Sequence, residues 1–385
     1  MTDEFKEVTT TSWGKRIVNS FMGIIFGIIF FIGAFHLIFW NEGRSVDRII
    51  TLDEGRSLVV AVASEQVNPS YNSALIHISG NAVTNSVLKD PFFGVQENAL
   101  KLKRTVEMYQ WKESKDSKTE KNLGGSETTE ATYSYDKTWS EEPINSGEFK
   151  KREGHENPAM PYKSETYSAT NITIGAFKLS NPFIKQINKF EPYPLSQKNF
   201  SAMDSRFKQS FALNGNTYFY GDSANPQIGA IRISYGIIKP TDISVVGKQD
   251  SNTIQTYYTK NGEISLLEMG NIGAESMFAS AESENTLITC LVRLGAFVLM
   301  WVGLAMILGP ISVLGDVVPF IGSLLGAGIG LVTGVVSLVL SFTTIAIAWI
   351  VYRPVIGIVL LILAGGFFFG GFKMIKGKLQ QSKAS

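Results

Sequence analysis

Thiol and imidazole are scarce in this chain of 385 residues, which holds one cysteine, Cys290, and three histidines, His36, His77 and His155. A lone cysteine excludes an intrachain disulfide framework. It also excludes zinc sites built on several thiolates. Charge of one sign is missing too: 35 Lys and Arg stand against 34 Asp and Glu, a formal net charge of +1. With no basic patch, that balance speaks against nucleic acid as a partner. Common catalytic signatures are absent as well. No H-x-x-x-H pair, acid-rich calcium loop, P-loop, G-x-G-x-x-G or G-x-S-x-G elbow occurs. No residue is therefore assigned a catalytic, cofactor-binding or metal-binding role.

What is abundant is apolar sequence, and it is concentrated at the two ends. The run "IVNSFMGIIFGIIFFIGAFHLIFW" covers 17–40. At about 1.5 Å per residue it spans ~36 Å, enough to cross a bilayer core. It is too long for a signal-peptide core and no A-x-A-like site follows, so it is expected to be an uncleaved anchor. A second apolar block covers 288–372. Pro310, Asp316 and Pro319 interrupt it, and Arg353 and Pro354 interrupt it again. Helices are expected near 288–309, 328–351 and 354–372, with 310–327 as a short interfacial segment. The fold class expected is thus integral membrane α+β: four transmembrane helices, with a large β-rich extracytoplasmic domain, 41–287, between the first and second. Residues 1–16 form an N-terminal tail and 373–385 a basic one. Lys373, Lys376, Lys378 and Lys383, with Lys6, Lys15 and Arg16, place both tails in the cytoplasm by the positive-inside rule.

Glycines recur every four residues at Gly322, Gly326, Gly330 and Gly334, and Gly23/Gly27 and Gly366/Gly370 repeat the spacing. Small residues four apart let helix backbones approach closely. That serves either packing within one bundle or self-association. Arg293 sits near a helix end, where a long side chain reaches the interface. With no second charge beside it in the apolar runs, an ion pathway or transporter is disfavoured.

The segment 41–287 reads as mostly strand. "SLVVAVA", "ALIHISGNAV", "LKRTVEMYQW", "AIRISYG" and "TIQTYYT" are short, β-branched and aromatic-rich. In "RTVEMYQW", Val106, Met108 and Gln110 share one face, and Glu107, Tyr109 and Trp111 the other. Asn214 and Gly215 suit a tight turn. The charged stretch 112–131 suits a mobile loop or the tip of a long hairpin. Helical patches are expected near 181–210 and 268–287.

"KREGHENPAMPY", 151–162, is the one stretch that looks like chemistry. His155 lies on a turn there, and Glu107 or Glu156 would be its acid–base companion. A membrane-associated hydrolase using His155 is the alternative function. It lacks a nucleophile–base pattern. Asn171-Ile172-Thr173 and Asn199-Phe200-Ser201 are glycosylation sequons only in a luminal eukaryotic domain.

The His155 loop belongs to an ordered set of motifs: "LIFWNEGR" (37–44), "LDEGRSLVV" (52–60), "DPFFGV" (90–95), "VEMYQW" (106–111), "YSYDKTW" (133–139), "INS" (144–146), "GHENP" (154–158) and "YRP" (352–354). In this order, and with these apolar runs, the sequence resembles the LUMA (transmembrane protein 43) family over nearly its whole length. The resemblance implies a multispanning protein with its large domain outside the cytoplasm, of a kind that organises protein complexes; with the glycine spacing, the expected function is a scaffold that self-associates as a homo-oligomer in membrane lipid and arranges other membrane proteins. Eukaryotic members imply the endoplasmic reticulum and inner nuclear membrane, with lamins and emerin as partners. A bacterial member would lie in the inner membrane without them. The family supplies no catalytic residues, so it places His155 as a structural motif.

Overall fold

The structure, a computed structural model, describes residues 3–355. Two compact units emerge. One comprises the chain up to Thr9 with Thr51–Thr119 and Thr129–Ala281; the other comprises Thr10–Ile50, Glu120–Thr128 and the chain from Glu282.

The strand-rich unit is built on two main sheets. Along the first, the strands run Asp3–Thr11, Glu127–Ser140, Lys101–Lys121, Ile231–Ile238, Thr217–Tyr220 and Phe211–Asn214. Glu165–Ser168 and Glu191–Pro192 join beside this path. The second runs Leu266–Met269, Thr241–Asp250, Thr253–Gln255, Phe177–Leu179, Ile172–Ile174, Leu75–Thr84 and Val60–Ala61. Alternation selects the buried faces. In Lys101–Lys121, Val106, Met108 and Gln110 are buried while their neighbours are half-exposed. The main core joins Val106 and Met108 to Ile76, Phe93, Phe177, Phe183, Tyr218 and Ile233. The stretch 112–131 forms the outer half of a long hairpin, Lys101–Lys121 to Glu127–Ser140. Asn214 pairs with Thr217, and Gly215 makes the turn at φ +58°. Three short helices, α2 (Asn181–Gln186), α3 (Gln197–Ala202) and α4 (Ser205–Lys208), occupy the expected helical patch.

The strand Asp3–Thr11 falls in the segment expected to be a tail. Phe5 packs on Tyr133, and Glu7 accepts from Lys150 Nζ at 2.7 Å.

Among the described residues, three helices are long and apolar enough to cross a membrane: α1 (Trp13–Leu58), α5 (Ala274–Gly315) and α6 (Pro319–Tyr352). The helix expected at 354–372 and the basic tail lie outside the described residues, apart from the first two positions of that helix. The segment 310–327 is not a separate element. α5 runs through Pro310 to Gly315, and α6 starts at Pro319. An interior proline removes one N–H bond, which membrane helices tolerate. Proline at the first helical position costs none, because that N–H has no intrahelical partner. The surface pattern is that of a membrane protein. Phe21, Ile25, Ile29 and Ile32 on α1 and Leu331, Val335 and Phe342 on α6 are exposed, whereas Asn41, Glu42, Asn285 and Thr289 are buried.

Glycine sets how closely the helices approach. A Cβ at Gly27 would lie 2.7 Å from the Gly303 carbonyl oxygen, and one at Gly303 would lie 2.8 Å from that of Gly27. In the four-residue ladder, Gly322 lies against Asp316, Gly326 against Ser312 and Gly334 against Trp301, while Gly330 has no such neighbour. Three of its four positions therefore serve packing within the chain.

Candidate functional site

Gly154, at φ +83°, turns the backbone so that the His155 N–H donates to the Arg152 carbonyl at 2.8 Å. His155 is 1 % exposed. Its ring stacks on Tyr135 at 4.0 Å and meets Trp111 edge-on at 4.7 Å. Nδ1 lies 3.0 Å from the Lys151 carbonyl oxygen. Asn157 locks the loop in place. Its Oδ1 accepts from the Trp111 N–H at 2.7 Å, and its Nδ2 donates to the Trp111 and Ile144 carbonyls at 2.9 and 3.2 Å. The Asn157 N–H donates to Ser146 Oγ at 2.9 Å. Four of the sequence motifs, around Trp111, Tyr135, Ser146 and His155, thus converge on one packed junction between neighbouring strands. Chemically it is a clamp.

The companions proposed for His155 are otherwise engaged. Glu107 takes a two-pronged bond from Arg232 at 2.6 and 2.8 Å, and that guanidinium lies over Trp139. The Glu156 carboxylate accepts from the Gly154 N–H at 3.1 Å. His77 is buried, with Nε2 2.9 Å from the Ile272 carbonyl oxygen. His36 is exposed on α1 and Cys290 on α5. Among the described residues no three His, Cys, Asp or Glu side chains gather to hold a metal. Of the two sequons, Asn171 is exposed, whereas Asn199 is buried and caps α3 through Ser196.

A second polar centre was not singled out by sequence. In "DPFFGV", Asp90 is 1 % exposed. One carboxylate oxygen accepts from the Phe92 and Phe93 N–H groups at 2.9 and 3.3 Å. The other accepts from Arg104 Nη1 at 2.6 Å and Tyr235 Oη at 2.7 Å. Arg104 also donates to the Lys163 carbonyl, Tyr167 and Glu165. Burial works against the Arg104 charge, but Asp90 outweighs it and holds the guanidinium above its ordinary value. Burial, and then Asp90, push the Tyr235 hydroxyl far above the usual tyrosine range. The signal available in sequence was Asp before Pro, an N–H-capturing turn residue.

Beside the clamp, the loop from Pro158 to Tyr162 faces the connection 220–231 across an open cleft of about 630 Å³. Pro158, Pro161 and Tyr162 form one wall, and Tyr220, Asp222 and Gln227 contribute to the other. Gly229, at φ +89°, lets Pro158 approach; a Cβ there would lie 3.0 Å from Pro158 Cγ. Tyr220 is 44 % exposed. It belongs to the strand paired with Phe211–Asn214, the last strand of the first sheet.

The helical unit has its own polar layer. Glu42, 1 % exposed on α1, accepts from Arg293 Nε and Nη2 on α5 at 2.6 and 2.7 Å and from Trp349 Nε1 on α6 at 2.8 Å. Arg44 donates to Asn285 and Thr289. Asn41 donates to the Thr289 carbonyl and Asn285 to that of Ser45. Arg293 therefore has a charged partner, against the expectation of an isolated charge. Glu42 was missed because it lies just past the apolar run.

A family model described as Transmembrane protein 43 matches residues 108–354. Transmembrane protein 43 of Rattus norvegicus is 32% identical over 354 residues, covering 88% of this chain and 87% of that protein. The Homo sapiens protein of the same name is 31% identical over 354 residues with the same coverage. The Transmembrane protein 43 homolog of Drosophila melanogaster is 29% identical over 350 residues, 89% of this chain and 91% of that protein. No solved structure matches the chain.

Proposed function

The chain belongs to the Transmembrane protein 43 family, and on that premise we propose that it is a multispanning scaffold that self-associates and arranges other membrane proteins. In a eukaryotic cell its place would be the endoplasmic reticulum and inner nuclear membrane; in a bacterium, the inner membrane. The lysine-rich tail favours a strand-rich domain on the side away from the cytoplasm.

The observation that carries the reading is the open cleft beside a terminal strand. Extended polypeptide is recognised by adding its main chain to a free sheet edge while its side chains enter neighbouring pockets. Phe211–Asn214 supplies such an edge, and the proline- and tyrosine-lined cleft lies next to it. The buried clamp at His155 supports a structural purpose for the most distinctive motif, since an imidazole stacked between rings has no approach for a substrate. Proximity labelling from the domain in the native membrane tests the proposal. Ala159→Trp, which fills the cleft, should remove a defined subset of neighbours. An unchanged set would contradict recruitment through this surface.

A further inference from the structure

The helical unit holds an apolar groove of about 530 Å³ between α5 and α6. That lies within the roughly 300–1,000 Å³ of small-molecule sites. Leu294, Phe297, Leu338, Phe342, Ile345 and Ala346 line it. Among the described residues its only charged lining residue is Arg293, with Trp349 beside it and Ser341 further along. From Trp349 back to Leu338 along α6 is a rise of roughly 16 Å at about 1.5 Å per residue. The groove thus starts at the polar layer of Glu42, Arg293 and Trp349 and continues into surroundings that are apolar but for Ser341.

We propose that this groove binds a zwitterionic glycerophospholipid, with one acyl chain along the groove and head-end oxygens accepting from Arg293. Three observations support that occupant. The groove opens on helices whose outer faces are apolar, so the medium that reaches it is lipid. Trp349 and Arg293 are side chains suited to the interfacial level, where a lipid's ester and phosphate oxygens lie. Glu42 fixes Arg293 through Nε and Nη2, which leaves Nη1 without a hydrogen-bond partner among the described residues. Glu42 also neutralises the guanidinium charge. Recognition is therefore by hydrogen bonding to an oxygen acceptor rather than by attraction of net negative charge, which favours a zwitterionic head.

The test uses the full chain in vesicles of phosphatidylethanolamine containing a trace of the same lipid with a diazirine in one acyl chain. After photolysis, label should concentrate on Phe297 and Phe342, about tenfold above the exposed Leu331, a preference of about 1.4 kcal/mol. Ala346→Phe fills the groove and should bring Phe342 down to the Leu331 level while melting temperature is kept. Leu338→Trp provides a second filling variant should the first fold poorly. Raising salt should leave the preference unchanged, because the site is neutral overall. Equal labelling of Phe342 and Leu331 in the wild type would overturn the proposal. So would labelling that persists in both folded filling variants. A disulfide formed in full yield between Phe342→Cys and a cysteine placed in 356–372, with Cys290 replaced, would also overturn it, by showing that the chain itself fills the groove.

Discussion

His155 shows how little a residue's type says without its neighbours. The sequence places it correctly on a turn beside Gly154, but its ring partners, Tyr135 and Trp111, come from two strands, 20 and 44 residues back in the chain. Only pairing of those strands brings them together, so the clamp was legible as co-occurring motifs and not as geometry. His155→Ala removes the stacked ring and leaves a void. It should cost about 1–3 kcal/mol, read as a lower Tm, with no change in metal content. Stoichiometric zinc bound by the wild type and lost in the variant would contradict the structural role. Lys101 offers a pH-dependent case. It is 7 % exposed, and Nζ donates to the Lys185 carbonyl at 3.3 Å. Burial pushes its ammonium below the ordinary value of 10.5. The unfolded chain then holds the proton more tightly, so this group adds stability as pH rises through the window from its folded value to 10.5. Lys101→Met should raise stability at pH 7 by about 1 kcal/mol, and the gain should shrink near pH 10. An equal gain at both pH values would contradict the burial argument.

Among the elements, the strands were the most legible, because period-two alternation records which face is buried. Val106, Met108 and Gln110 are inside as their spacing requires. Proline misled. Pro310 looks like a helix end but lies within α5, because membrane helices accept a lost N–H bond. Glycine spacing was ambiguous, and packing separates its members. Gly27→Ala would drive a Cβ into the Gly303 carbonyl and should cost about 1–3 kcal/mol. Gly330→Ala should be nearly neutral, since an added Cβ would meet no atom within 4 Å. Thermal melts of the two variants in one detergent check the contrast; equal losses would contradict the assigned contact. Subunit counting on the same samples adds a second reading. Loss of oligomers in Gly330→Ala with Tm unchanged would assign that open position to self-association.

The whole molecule carries two opposing demands at its N-terminus. By the charge rule, Lys15 and Arg16 would put residues 1–16 on the cytoplasmic side and 41–287 across the membrane. The pairing of Asp3–Thr11 with Glu127–Ser140 instead requires both strands to share one compartment. Single cysteines at Val8 and Ser117, with Cys290 replaced, decide between them in sealed vesicles. The strand pairing predicts reaction from the same side; reaction from opposite sides would preserve the charge-based topology and exclude that pairing in the membrane. The membrane class itself was legible from two apolar blocks, and the polar layer around Glu42 was not, because it forms only when three helices meet. The central claim, a scaffold that recruits polypeptide through its strand-rich domain, is tested most directly by a photo-crosslinking residue placed at Ala212 on the terminal strand, in the native membrane. The account predicts discrete polypeptide adducts, a second copy of the chain or another membrane protein, that disappear in Ala159→Trp. Adducts no more frequent than from the exposed control position Tyr258, or the same adducts in Ala159→Trp, would contradict it.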